Sequence, residues 1–208
     1  MVIDHIFSSI RLVLNKTRRG FVKKSMISTA VKMAVNDLYN SELDLYRQTG
    51  LISSKIKRFV KTGSVTLTSG AGPLPSDFVR EINFVTNTGK EGTILTQEEF
   101  QDRVTSYILG PDDDNSIGKI QDNQIIIEPE EYPSIDLDYF RAPVDFVYAT
   151  TPDGDGRGET FDAGNSIDVE FDTTVSGEII RRALLYLGAG TQNQEAVVIG
   201  MSDNPPSK

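Results

Sequence analysis

The chain contains no cysteine and a single histidine, His5, in 208 residues. Without cysteine there are no disulfides, no thiolate nucleophile and no Cys-ligated zinc. One histidine excludes a His-cluster metal site and argues against a hydrolytic triad. His5 itself reads as a solvent-facing residue of a first helix. No apolar run approaches the ~20 residues that span a bilayer. Residues 1–14 carry Asp4, His5 and Arg11 inside their apolar stretch and have no basic segment ahead of it, which is not the pattern of a secretory signal. No Walker loop, GxSxG or GxGxxG sequence occurs, so nucleotide and serine hydrolysis have no support. Of the common enzyme chemistries, only mechanisms run by Asp and Glu alone survive these absences.

What the chain does have is an ordinary folding composition, 38% hydrophobic and 25% charged, with an uneven distribution of charge. Residues 1–61 hold 12 Lys+Arg against 4 Asp+Glu, a balance of +8, and residues 62–208 hold 9 against 26, a balance of −17; together they give the net −9. Two opposite poles suggest a layer stacked on partners of opposite sign.

Periodicity changes near the same boundary. Ile3, Ile6, Phe7, Ile10, Val13 and Leu14 recur at three- and four-residue steps and predict a short amphipathic helix. After a break at residues 15–21, a longer helix is expected over 22–47. Its stripe is Met26, Ile27, Ala30, Val31, Ala34, Leu38 and Leu45, and Gly50 is its stop. From residue 62 the period is two: Val65 and Leu67, Ile82 to Val85, Ile94-Leu95, residues 117–120 with 124–128 as a hairpin around Gln121-Asp122-Asn123, and Ile135, Leu137 and Tyr139. Residues 69–73 read as a turn. Thr96 with Glu99 makes a capping box that opens a short helix over 97–107. Short turns between strands favour an antiparallel sheet. Residues 150–164 read as an exposed loop, 167–171 as a last strand and 174–187 as a closing helix ended by Gly188. The fold class expected is α+β. A basic helical part (1–61) is followed by an acidic antiparallel β part (62–172), a C-terminal helix packing on the helical part (173–188) and an extended arm (189–208). The arm carries one apolar patch, Ala196, Val197, Val198 and Ile199, and ends with Pro205 and Pro206 near its terminus; such a tail is expected either to stay disordered or to order against a neighbouring chain.

Each candidate for chemistry has a plainer reading. Asp153 and Asp155 match the first ligands of a calcium loop, but Arg157 and Gly164 stand where two further ligands are required. Asp112-Asp113-Asp114 reads as a hydrated loop tip. Asp136 and Asp138 share a strand face, as paired carboxylates would, and so alternate with the apolar residues as the solvent side of a half-buried strand; Glu128 and Glu130 are a second such pair. The basic residues Arg18, Arg19, Lys23 and Lys24, and a second group of Lys55, Lys57, Arg58 and Lys61, suit contact with an acidic protein surface better than DNA, since few aromatics accompany them. No catalytic, cofactor or metal residue is assigned. Arg18, Arg19, Lys23, Lys24, Ala196, Val197, Val198, Ile199, Pro205 and Pro206 are the expected partner-binding residues.

One segment carries more. Leu74-Pro75-Ser76-Asp77-Phe78 reads as a corner in which Pro75 fixes φ, Asp77 bonds nearby backbone amides and Leu74 and Phe78 enter a core. Ala34-Val35-Asn36-Asp37-Leu38-Tyr39, with Tyr46 and Phe59, precedes it. Glu98-Glu99-Phe100-Gln101-Asp102-Arg103, Leu137-Asp138-Tyr139-Phe140-Arg141-Ala142-Pro143 and Ala183-Leu184-Leu185-Tyr186-Leu187-Gly188 follow. In this order, over residues 20–190, the chain resembles the head-to-tail connector (adaptor, tail tubular A-like) proteins of tailed bacteriophages, including those of crAss-like phages. The resemblance implies a structural virion protein, made in the host cytoplasm, that forms a homo-oligomeric ring, usually twelvefold. Such a ring docks under the portal protein, meets a further tail or connector protein and passes genomic DNA through its lumen without binding it specifically. No enzyme activity, cofactor or membrane is implied. A non-catalytic binding module that recognises a ligand or receptor through the acidic loops 110–115 and 151–164 is the alternative.

Overall fold

A computed structural model describes residues 1–17, 22–106, 110–152 and 159–191. The chain divides into two compact units, one made of residues 1–57 with 143–208 and the other of residues 58–142. The fold is α+β, with helices at both ends of the chain and a mostly antiparallel sheet between them.

The first unit is built on three helices, α1 (Val2–Thr17), α2 (Lys24–Thr49) and α4 (Ser176–Thr191), with α4 packed on both of the others. Ile3, Ile6, Phe7, Ile10 and Leu14 are the buried face of α1. Its N-terminus is capped from far along the chain, because the Asp168 carboxylate accepts the backbone N–H of Val2 (2.9 Å) and Ile3 (2.7 Å). On α2 the buried stripe runs through Ile27, Ala30, Val31, Ala34, Val35, Leu38, Tyr39, Glu42 and Leu43. Met26 and Leu45, expected in that stripe, lie at its edges and are exposed. Gly50 ends α2 in the left-handed region (φ 68°) and returns its N–H to the Tyr46 carbonyl. The closing helix, by contrast, runs through Gly188 to Thr191, beyond its expected stop.

Residues 143–172 belong with these helices and not with the sheet. Aromatic packing is the reason. Phe7 of α1 stacks on Tyr148 (centroids 3.9 Å apart) and meets Phe146 edge-on (6.3 Å), while Tyr148 stacks on Phe161 (5.1 Å). The expected exposed loop over 150–164 contains a small hairpin, β8 (Thr150–Pro152) with β9 (Glu159–Phe161). The strand expected at 167–171 reduces to a single bridge between Val147 and Ile167. Val169 and Phe171 are nonetheless buried.

The second unit is a seven-stranded sheet in the order β1-β7-β3-β4-β5-β6-β2. The strands are β1 (Val60–Thr66), β2 (Ala71–Pro73), β3 (Phe78–Thr86), β4 (Glu91–Ile94), β5 (Ile117–Gln121), β6 (Gln124–Glu128) and β7 (Ser134–Arg141). All pairs are antiparallel except β4 with β5. Asp122 and Asn123, at φ 51° and 62°, turn β5 into β6 as the two left-handed positions of a tight hairpin. Residues 71–73, expected as turn, are the strand β2, paired with β6. The outermost strands of the order, β1 and β2, are joined by a turn in which Thr68 and Ala71 exchange backbone hydrogen bonds (2.8 and 3.2 Å). The sheet therefore curls round toward itself and encloses a core of Val65, Leu67, Leu74, Phe84, Ile125, Ile127, Ile135, Leu137 and Tyr139. Between β4 and β5 lies α3 (Gln97–Thr105), opened by the expected capping box.

Candidate interaction surfaces

The units redistribute the charge read along the chain. Residues 1–57 have 10 Lys+Arg and 4 Asp+Glu, but they share a unit with residues 143–208, which have 4 and 11, so that unit carries 14 against 15. Residues 58–142 have 7 against 15 and keep a balance of −8. The basic helices and the sheet are thus not two opposite poles. Instead, the basic residues of the first unit are matched by acids of that same unit.

Ion pairs show how. Lys55 reaches Glu42 (2.9 Å) and Glu178 (3.0 Å), and Arg182 binds both Glu178 (2.8 Å) and Asp37 (2.6 Å). Glu42 is 7% exposed and also accepts the Ser53 hydroxyl at 2.6 Å. Burial works against the charge of Glu178, but the hydrogen bonds from Arg182 and Lys55 outweigh it and hold its carboxyl below the usual range. Burial likewise opposes the charge on Lys55, and the two glutamates overcome it and raise its pKa. Lys32 pairs with Asp145 at 3.2 Å. This network joins residues more than a hundred positions apart, and neither spacing nor motif announces it.

Of the residues expected to bind partners, Lys23 is exposed at the N-cap position of α2. Lys24 turns inward: its ammonium donates to Thr150 Oγ1 (2.7 Å) and sits 5.5 Å from the Tyr148 ring centroid. Arg18, Arg19, Ala196, Val197, Val198, Ile199, Pro205 and Pro206 lie outside the described residues. In the second basic group, Lys55 and Lys61 are both engaged in ion pairs.

The corner at 74–78 has the best-defined polar geometry of the second unit. Leu74 enters the core and Phe78 packs at its edge, 5.7 Å from the Tyr139 ring. The Phe78 N–H donates to Pro75 O (3.0 Å), and the Leu74 N–H donates to Asn123 O (3.1 Å), tying the corner to the β5–β6 hairpin. The main partners of the Asp77 carboxylate are side chains, not the nearby amides expected. It accepts Lys61 Nζ and the Tyr139 hydroxyl, each at 2.7 Å, while Ala142 N–H donates to its main-chain oxygen (2.8 Å). The hydrogen bond from Lys61, then that from Tyr139, holds the Asp77 carboxyl below its usual range. Burial, then the hydrogen bond to Asp77, pushes the Tyr139 hydroxyl up, so it stays a proton donor. The trio is a static clip across β1, the corner and β7.

The acidic loop is also internally satisfied. Asp112 Oδ1 accepts the N–H of Asp114 (2.9 Å) and of Asn115 (2.8 Å), and Lys90 pairs with Asp114. Asp136 is exposed and Asp138 half-buried on β7, opposite Ser64 and Thr62 of β1. Glu128 has its carboxyl pushed up by burial and then by the Glu130 charge. Among the described residues, no three acids or histidines group to hold a metal ion, and no helix is long and apolar enough to cross a membrane. Asp153 and Asp155 lie outside the described residues. Compared with known proteins, the chain matches no protein-family model and no curated sequence.

Proposed function

We propose that the chain is a structural subunit of a bacteriophage head–tail connector, one copy of a ring that bridges the portal to the next tail component and lets DNA pass through its lumen. The observation that carries this reading is the pairing of the segments on which the resemblance rests. The 74–78 corner is clipped to the 137–143 segment through Asp77, Tyr139 and Ala142. In the other unit, the α2 segment containing Ala34 to Tyr39 packs on α4, which contains Ala183 to Gly188. Four of the five segments thus form two pairs, one per unit, which suits a building block better than an active site. The mechanism is interfacial: head-to-tail contacts between copies close the ring. The −8 balance of the sheet unit supports a surface that meets a basic partner, or faces DNA and repels its phosphates so that the polymer slides.

Mass measurement in solution, followed by electron microscopy of the protein with its portal, tests the reading. Rings, formed alone or on the portal, are expected. A stable monomer that never rings in the portal's presence overturns it.

A further inference from the structure

The two edges of the seven-stranded sheet are finished differently. At one edge β2 is three residues long and ends on Pro73, and a short strand closed by proline is a poor template for further pairing. At the other, β1 runs for seven residues without a proline, and its register with β7 has no bulge. That register fixes which way the β1 backbone points. The Leu67 N–H donates to Pro133 O at 2.9 Å, one step beyond Thr66 opposite Ser134 in the same register. Hydrogen-bonded and non-hydrogen-bonded positions alternate along an antiparallel pair. Val65, Gly63 and Lys61 therefore bond to β7, and the N–H and C=O groups of Thr66, Ser64 and Thr62 point away from it. The turn into β2 covers only the far end of this outer edge: a Cβ on Gly72 would lie 2.6 Å from the Thr66 carbonyl oxygen, and Thr68 pairs with Ala71. Among the described residues, no backbone group pairs with Thr62 or Ser64 from outside, and both residues are exposed.

The chemistry beside this edge selects what it takes. Thr62 and Ser64 stand opposite Asp138 and Asp136, so these side chains share the sheet face turned away from the core. Lys61, the one charged residue of β1, lies on the other face and is held by Asp77. A strand added outside β1 would lie about 4.8 Å from it and roughly 10 Å from β7. Only the short hydroxyl side chains of Thr62 and Ser64 would separate it from the two carboxylates, a gap that a lysine or arginine side chain spans. A second copy fits badly. Two β1 edges pair antiparallel only through their outward residues, which would bring Asp136 and Asp138 of both copies onto one face, in units that each carry −8. We infer that the outer edge of β1, at Thr62 and Ser64, takes an extended segment of a protein partner with lysine or arginine at alternate positions, which joins the sheet as a further strand. The inference does not rest on the connector reading.

Residue-resolved amide exchange on the full-length chain tests it. In the free protein Gly63 and Val65 are expected to exchange slowly, and Thr62 and Ser64 fast; exchange without this alternation overturns the assignment of the edge. A short capped peptide of alternating lysine and valine is expected to slow Thr62 and Ser64 severalfold. The same peptide with glutamate in place of lysine, or with its backbone nitrogens methylated, is expected to leave them fast. No slowing by the lysine peptide at millimolar concentration overturns the proposal. Equal slowing by the glutamate peptide or by the methylated one also overturns it, since recognition would then need no cationic side chains or no ladder. Ser64→Pro removes an outward N–H and none that bonds to β7. It is expected to abolish the protection of Thr62 by the lysine peptide while the circular dichroism of the sheet is unchanged; protection retained in this variant contradicts the proposal. If Ser64→Pro unfolds the sheet, the three peptides on the unaltered chain decide. None of these readouts depends on ring formation, so failure here leaves the connector reading untouched.

Discussion

The two units solve the same problem, an excess of charge over a modest core, in different ways. The helical unit is assembled from both ends of the chain. It uses that return to bring acids onto a basic segment, with Asp168 on the start of α1, Glu178 on Lys55 and Asp145 on Lys32. The sheet unit is one uninterrupted stretch. It neutralises little of its acidity and takes its order from backbone ladders around a hydrocarbon core. A charge imbalance read along a chain therefore predicts a charged surface only where the fold does not bring the other sign back. Here it survives in the sheet unit alone.

Three substitutions probe this contrast. The largest effect is expected in the sheet. Phe84 is fully buried, and its ring leaves no room for a side chain at residue 92: a Cβ on Gly92 would lie 2.0 Å from Phe84 Cζ. Phe84→Ala empties that site and is expected to cost about 3–5 kcal/mol in denaturant unfolding followed by a sheet signal. A loss below about 1 kcal/mol would show that the core is not what orders this unit.

In the helical unit the key group is charged. Glu42→Gln keeps the shape but removes the buried charge that Lys55 and Ser53 engage. A loss of about 1–3 kcal/mol is expected in helical unfolding, falling in high salt less than an exposed pair would. A neutral outcome would show that the Glu42 charge does not help to hold this unit together.

Smallest is the clip. Asp77→Asn is expected to cost about 1 kcal/mol, because the Asp77 side chain is a third exposed and its pair with Lys61 is screened. Its sharper signature is in pH. The folded carboxyl lies below its ordinary value of 3.8, so its contribution is complete above that value and is lost as pH falls through the depressed one. The Asn variant should lack that acid-side loss. Identical acid unfolding curves for the two proteins would remove Asp77 from the account.

Several features were legible because they are local. The α2 stop at Gly50, the Thr96–Glu99 capping box and the Asp122-Asn123 hairpin all follow from backbone preferences of a few residues. The misplacements are equally specific. Residues 71–73 form a strand only because β6 offers its edge. Phe146 and Tyr148 belong with α1 because aromatic burial against Phe7 outweighs membership in the sheet. Asp77 was marked as a corner residue, but its partners Lys61 and Tyr139 are 16 and 62 residues away.

By itself, the sequence determined the helical and strand periods, the caps and turns, the chemistries excluded by its lack of cysteine and near-lack of histidine, and the amount of charge. Those are properties of single residues and short spacings. Only the tertiary structure decided where the charge goes, since whether Glu178 meets Lys55, or Asp168 caps α1, depends on contacts between segments more than a hundred residues apart. Hydrophobic burial fixes those contacts through the whole core at once, and no local pattern encodes them.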